Sequence, residues 1–520
     1  MITRTPCDEG ILSAARGRAA GGPTNAAWIL AATILASGMA FIDGTVVNVA
    51  LPVIEVELHA TIIEAQSIVV AFSLFLASLM LVGGSLGDHF GRKRMCLSGV
   101  GVFAAASAWS GLAPDVHHLI VARAVQGIGA ALMMPNSLAI VAASFDQSSR
   151  GKAIGIWSGF SAVTSAIGPV LGGFLTEHAS WRWIFFINIP IAVAVFVIAV
   201  RHVPESRDDE TVHHLDWWGA LGCTIGLGGL SYALIFSQQA GWKDAGVLAG
   251  IGVGAAALAG FVFAEARGRV PMMPLDLFRS RIFSGVNLMT FLLYAALSGA
   301  LFFVPFDLIQ IHHYTPTFAG LALLPFVALL SALSRWSGGL VDAYGPRLPL
   351  IVGPMVAAIG LALFALPGSS GSYWSTFFPA AAVLGLGMAI AVAPLTTAVM
   401  SAVSDDRVGI GSGVNNAVAR IAGLLAVALF NVVAAALFMP ALAHGLAHVH
   451  APPAMTQAMW AQRLRMSAAQ VPAHVSGELA QLLRGAVVSA FLLAFRAAML
   501  LGAAMAAASA VVAAVTFRRA

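Results

Sequence analysis

Long apolar runs, broken only by short polar segments, constrain this 520-residue chain more than anything else in it. An α-helix rises about 1.5 Å per residue, so about 20 apolar residues cross a hydrocarbon core about 30 Å thick. Inside lipid every backbone N–H and C=O must be bonded within the spanning element. Only helices and closed barrels meet that demand, and runs without polar alternation select helices. Composition agrees: 59% of residues are hydrophobic and 10% charged, before the 53 glycines are counted. Soluble domains are about 45–50% apolar and about 25% charged, so a water-soluble globule is excluded.

Fourteen such runs can be placed. The first seven lie at about 27–50, 64–85, 95–112, 119–142, 153–176, 184–203 and 216–237. The second seven lie at about 245–265, 283–309, 317–340, 348–367, 375–399, 410–438 and 486–515. Residues 1–26 read as an irregular tail carrying Arg4, Arg16 and Arg18. The run that follows is too long for a signal-peptide core, which keeps the first span in the mature protein. With the N-terminus cytoplasmic, 18 of the 27 Lys and Arg fall in inner segments, 5 in outer segments and 4 within spans. The positive-inside rule then places both termini on the cytoplasmic side of a bacterial inner membrane.

The motif GSLGDHFGRK (Gly84 to Lys93) follows the second run, and GGLVDAYGPR (Gly338 to Arg347) follows the tenth with Gly, Leu, Asp, Gly and a basic residue at the same offsets. This repeat predicts an N-terminal six-helix bundle over 27–203 and a C-terminal one over 283–520, separated by a 204–282 segment with two additional spans. A pathway would lie between the halves near the midplane. The long outer loop, 439–485, contains MWAQRLRMSAAQ, which predicts a short surface helix.

Other chemistries lack their parts. Cys7, Cys96 and Cys223 are far apart and form no C-x-x-C, which indicates neither a disulfide scaffold nor a zinc site. His444, His448, His450 and His474 have no acidic or thiol companions, so no metal site is expected. Gly83, Ser85 and Gly87 fit G-x-S-x-G but end a membrane helix rather than a strand. Neither G-x-x-x-x-G-K-[ST] nor H-E-x-x-H occurs, which removes ATP-driven pumping and zinc proteolysis. The charge of +4 is too dispersed to mark a nucleic-acid partner.

Five segments in register, FIDGTVVNVALP (Phe41 to Pro52), GSLGDHFGRKR (Gly84 to Arg94), RAVQGIGAA (Arg123 to Ala131), GPVLGG (Gly168 to Gly173) and WRWIFFINIP (Trp181 to Pro190), resemble the major facilitator superfamily. The likeness is to its fourteen-span drug/proton antiporter branch, the EmrB/QacA group, and runs over nearly the whole chain. The resemblance implies an all-α membrane protein of the major facilitator fold that exports small amphipathic compounds. It is no enzyme and uses no cofactor beyond the proton gradient. Its partners would be a small-molecule substrate, membrane lipid and protons, with a periplasmic adaptor and an outer-membrane conduit left open.

Asp43 and Arg123 are the implied proton-coupling pair. Asp43 lies roughly 10 Å deep at 1.5 Å per residue, where a carboxylate usually faces a wet cavity. Burial of a carboxylate favours its protonated form and a neighbouring guanidinium opposes it, which suits a load-and-release cycle. A helix-packing aspartate bonded to Thr45 and a snorkelling arginine are the plainer alternatives. Gly84, Asp88, Gly91 and Arg92, with Asp342, Gly345 and Arg347 in the second half, resemble a conformational latch in which glycines permit a tight turn. The alternative is a topogenic loop. Gly168, Pro169, Gly172 and Gly173 form the antiporter motif, by physics alone a kink and a packing face. Gln126, Asp307, Asn416 and Arg420 are candidate polar cavity residues. An uncoupled facilitator, a lipid flippase or a non-transporting receptor of the same fold also accommodates these features.

Overall fold

A computed structural model describes residues 23–145, 147–207, 217–268, 273–369, 371–403, 408–449, 452–472, 475 and 477–518. Among the described residues there is no strand. The first half comprises α1 (Pro23–Glu57), α2 (Ile62–Phe90), α3 (Arg92–Gly111), α4 (Val116–Ser144), α5 (Gln147–His178) and α6 (Asn188–His202). Next come α7 (Trp217–Ala240) and α8 (Ala245–Arg267). The second half comprises α9 (Arg281–Phe306), α10 (Leu324–Tyr344), α11 (Arg347–Phe364), α12 (Phe377–Ser401), α13 (Val408–Val449) and α14 (Glu478–Thr516).

Twelve of the described helices are long and apolar enough to cross a membrane. The helix over the expected third span, α3, has 20 residues but falls outside that group; α5, over the expected fifth, has 32 residues, many of whose side chains lie outside the described residues. The first turn of α3 holds Arg92, Lys93 and Arg94, and glycine and serine dilute the rest.

Side chains mark the helix starts. Thr61 and Glu64 form a reciprocal capping box at α2, while Asp115, Asp244 and Ser280 accept backbone N–H groups at α4, α8 and α9. Each satisfies donors that a helix start leaves unpaired.

The internal repeat reappears in the packing. The pairs α1 with α5, α1 with α6, α2 with α4 and α3 with α4 recur as α9 with α13, α9 with α14, α10 with α12 and α11 with α12. The halves meet where α2 packs on α13 and where α5 packs on α10 and the short helix Pro316–Leu321 before it. Helix α7 lies against α2 and α13, and α8 packs mainly on α7, with Val247, Gly254 and Glu265 its buried residues. An apolar helix this exposed has lipid as its natural neighbour.

Two expectations about connections are corrected. Residues 439–449 continue α13, because the apolar periodicity runs on past Pro440. Residue 478 already opens α14. What remains folds as a helix Pro453–Ala461 and a 3₁₀ turn Arg463–Ala468, which do not lie free on the surface. Met459 and Met466 are fully buried, and Arg465 Nη2 donates to His59 O (3.2 Å) between α1 and α2.

Membrane helices cannot gain from hiding apolar surface from one another, so close backbone approach carries much of their association. At Gly83 on α2 an added Cβ would lie 2.1 Å from the Ala131 carbonyl oxygen of α4. At Gly252 on α8 it would meet nothing within 4 Å. Gly83→Ala should therefore cost about 1–3 kcal/mol through overpacking. Thermal unfolding of purified protein should fall for Gly83→Ala and stay at the wild-type value for Gly252→Ala.

A buried polar cluster and two opposed faces as candidate functional site

Asp43 on α1 and Arg123 on α4 meet in the interior of the first bundle, with Arg123 Nη1 donating to Asp43 Oδ2. Both side chains are fully buried. Arg123 also donates to Gln126 Oε1 (2.8 Å), one turn along the same helix face. Gln126 Nε2 donates to Asp43 Oδ1 (2.9 Å) and to Ser107 Oγ of α3 (2.8 Å). Asn188 of α6 donates to the same two oxygens at 3.4 and 3.3 Å. Arg123 Nε reaches the Ile68 carbonyl of α2 (3.5 Å), and its guanidinium lies 4.3 Å from the Phe72 ring centroid. Five helices thus converge on one ion pair.

The sequence reading sets Asp43 beside a water-filled cavity, and here the structure differs. Its charge is met by Arg123, Gln126 and Asn188 rather than by solvent. The physical reason is local neutralisation: a carboxylate with a cation and two amide donors needs no water. Ser107 and Asn188 escaped the sequence reading, although Asn188 stands in the segment WRWIFFINIP. A serine or asparagine in an apolar helix gives no sign of the azimuth it faces.

The arginine-rich face carries the latch segment. Its expected turn is corrected: Gly84 and Gly87 lie inside α2, which runs to Phe90, and Gly91 alone breaks the helix with φ of +106°. The helix persists because Gly87 packs against Asn136 of α4, whose amide donates to Gly83 O at 2.8 Å. Asp88 pairs with Arg92 at 2.7 Å. Glu205, just after α6, accepts the backbone N–H groups of Lys93 (2.9 Å) and Arg94 (3.2 Å) at the start of α3. Glu205 also escaped the sequence reading. In the second half Gly345 ends α10 with φ of +70° and Arg347 is exposed. The Asp342 side chain lies outside the described residues.

The arginine-poor face is closed by contacts within the first half and between the halves. Cβ atoms added at Gly168 and Gly172 would run into Thr45 and Val46 of α1, and one at Gly173 into the Pro316 carbonyl. Gly320 answers with the same approach to Pro169 O. The GPVLGG segment is thus the near-contact surface of α5 toward α1 and toward the lead-in to α10. Gln310, following α9, donates to Glu55 Oε2 of α1 (3.2 Å), and Ser467 bonds to Gln310 Oε1. Trp181 Nε1 donates to Glu57 Oε2 (2.7 Å), and Glu177 accepts the Thr317 N–H (3.0 Å).

The other candidates scatter. Asp307 is buried at the end of α9 with His312 Nε2 at 3.5 Å. Asn416 is exposed and donates to its own helix at Ser412 O (3.0 Å). Its neighbour Asn415 makes the interhelical bonds, to Asn287 Oδ1 (3.1 Å) and Thr290 Oγ1 (2.7 Å) of α9. Arg420, half-buried on α13, points across the halves to Phe41 of α1, with its guanidinium 5.7 Å from the ring centroid. Among the described residues no group of three or more His, Cys, Asp or Glu gathers as metal ligands. His444 and His448 lie 2.9 Å apart, and His450 and His474 fall outside the described residues.

The model of the Major Facilitator Superfamily matches residues 33–427, and the chain belongs to this family of membrane transporters. It is 32% identical over 402 residues to the tetracenomycin C resistance and export protein of Streptomyces glaucescens, covering 76% of this chain and 74% of that one. It is 33% identical over 409 residues to the multidrug resistance protein Stp of Mycobacterium tuberculosis, covering 78% and 76%. A methylenomycin A resistance protein of Bacillus subtilis is 33% identical over 414 residues, covering 79% and 88%. In fold it is similar to a bacterial homologue of the lysosomal transporter Spinster in an inward-facing, unoccupied conformation, with a TM-score of 0.68. That alignment covers 96% of this chain and 99% of the other at 19% identity.

A buried charge stripped of its partner costs about 3–5 kcal/mol, more than the net worth of the intact pair. Arg123→Gln should therefore lower the unfolding temperature more than the double variant Asp43→Asn/Arg123→Gln does. Equal or additive losses in thermal unfolding would show that the two side chains are not energetically coupled.

Proposed function

We propose that this chain is a proton-coupled exporter of small amphipathic compounds across a bacterial inner membrane, with both termini cytoplasmic. The observation that carries the reading is the titratable Asp43 held against Arg123 on α1, the same helix that lines the seal on the arginine-poor face. The resistance and export proteins among its relatives support the direction of transport, and the absence of a phosphate-loop motif supports an ion gradient as the energy source. One charge crossing 100 mV yields about 2.3 kcal/mol.

In this cycle the arginine-poor face is the outer one, and its closure seals Asp43. Opening of that face admits a proton to Asp43 as substrate leaves. Protonation removes the counter-charge of Arg123, which weakens the hold of α1 on α4. The bundles rock, the proton departs inward, and the restored pair favours the resting arrangement. The Asp88–Arg92 pair and Glu205 brace the inner ends of α2, α3 and α6 during that movement.

The complete burial of Asp43 favours a second reading, in which the pair only holds the bundle together and solute moves without protons. Proteoliposomes separate the two. Substrate addition should move a lumenal pH probe for wild type, and Asp43→Asn should abolish that signal while insertion persists. Solute flux with a silent pH probe in wild type selects the uncoupled reading. A separate expectation concerns the latch: Asp88→Asn should slow turnover more than it weakens substrate binding, and unchanged turnover would leave the segment a topogenic loop.

A further inference from the structure

We infer that Arg420, with Tyr294 and Phe41, forms a recognition point for the anionic group of an aromatic substrate between the two bundles. The inference rests on the exporter reading above and adds the charge class of what is carried. Arg420 lies about three turns into α13, in a span whose only other polar side chains nearby are Ser412, Asn415 and Asn416. Ser412, Asn416 and Arg420 recur at intervals of four, so they share one helix face. A polar, partly exposed stripe on a membrane helix that packs on both halves belongs to an internal path rather than to lipid.

The guanidinium has no carboxylate and no hydrogen bond among the described residues; its contact is the face of Phe41 across the halves. At that range a cation–π contact returns only a part of what a desolvated cation gives up. Tyr294, half-buried on α9, stands between Thr290, which accepts from Asn415, and Ser298, which lies against Gly423, so it is level with Arg420 on the facing helix; among the described residues its hydroxyl makes no hydrogen bond either. One turn further along each helix the backbones close up: a Cβ added at Gly423 would stand 3.0 Å from Ser298 Oγ. Two donors without acceptors therefore stand level on facing helices, with an aromatic ring of the other half beside the guanidinium.

The acids of these helices are placed elsewhere. Asp43 is paired with Arg123, Glu55 bonds to Gln310, and Asp307 sits more than three turns beyond Tyr294 beside His312. The uncompensated charge between the bundles is thus positive, and its complement is a carboxylate, sulfonate or phenolate on an aromatic frame. A guanidinium accepts such a group in a planar, bidentate manner that a lysine does not reproduce.

The test uses two xanthene dyes of similar size, anionic fluorescein and cationic rhodamine 6G, binding to the full-length protein in nanodiscs of neutral lipid. Fluorescence anisotropy is read against empty nanodiscs. Wild type should bind fluorescein more tightly than rhodamine 6G. Arg420→Gln should weaken fluorescein about tenfold, the loss expected of one charge-assisted contact, and leave rhodamine 6G unchanged. Arg420→Lys should fall between, and thermal unfolding of both variants checks folding independently. Equal fluorescein affinity in wild type and Arg420→Gln, a wild type that prefers rhodamine 6G, or one that binds neither dye overturns the inference. Because binding is read without flux, its failure leaves the exporter reading standing. Conversely, intact binding without efflux would sink the exporter reading alone.

Discussion

The first bundle depends on one buried ion pair that its own side chains complete. Two charges taken out of water are stable only when attraction is joined by hydrogen bonds to their remaining lone pairs and protons. Gln126, Asn188 and Ser107 provide them, so α1, α3, α4 and α6 are tied at one point while Ile68 O and Phe72 bring in α2. A polar knot of this kind fixes helix rotation, which apolar packing in lipid leaves loosely specified. Everything that α1 does at its far end, toward Gly168, Gly172 and Gln310, is referred to that point.

The two faces are built on different physics. The arginine-poor face closes by backbone proximity, with glycines on α5 and before α10 admitting carbonyl groups where a methyl would collide. Such contacts are short-range and unspecific, and the carboxylates that join them across the halves, Glu55 and Glu177, bond only to neutral partners, Gln310 and the Thr317 N–H. The arginine-rich face is held by charge instead. Asp88 with Arg92, and Glu205 on the opening N–H groups of α3, brace elements within one half. A transporter that rocks one half against the other needs this division, since pairs that stay within a half survive the motion and those that bridge the halves must be cheap to break.

The helical, membrane-spanning character of the chain and the duplicated GSLGDHFGRK and GGLVDAYGPR segments are legible in the sequence, because each depends only on local runs. Asn188 and Ser107 were not, since a polar residue in an apolar run declares no partner, and Asn416 drew notice where Asn415 makes the interhelical bonds. Gly84 and Gly87 suggest a turn by composition, yet packing against α4 keeps them helical.

By itself, then, the chain's hydropathy determined that it lives in lipid as helices, and its arginines determined which ends of those helices share a side. Both are properties of local runs and need no knowledge of neighbours. Only the tertiary structure decided that Asp43 is sealed while Arg420 has no counter-charge among the described residues, because that outcome turns on helix rotation and on residues eighty or more positions apart. A rotation of one residue, about 100°, would exchange the two fates without altering a single apolar run.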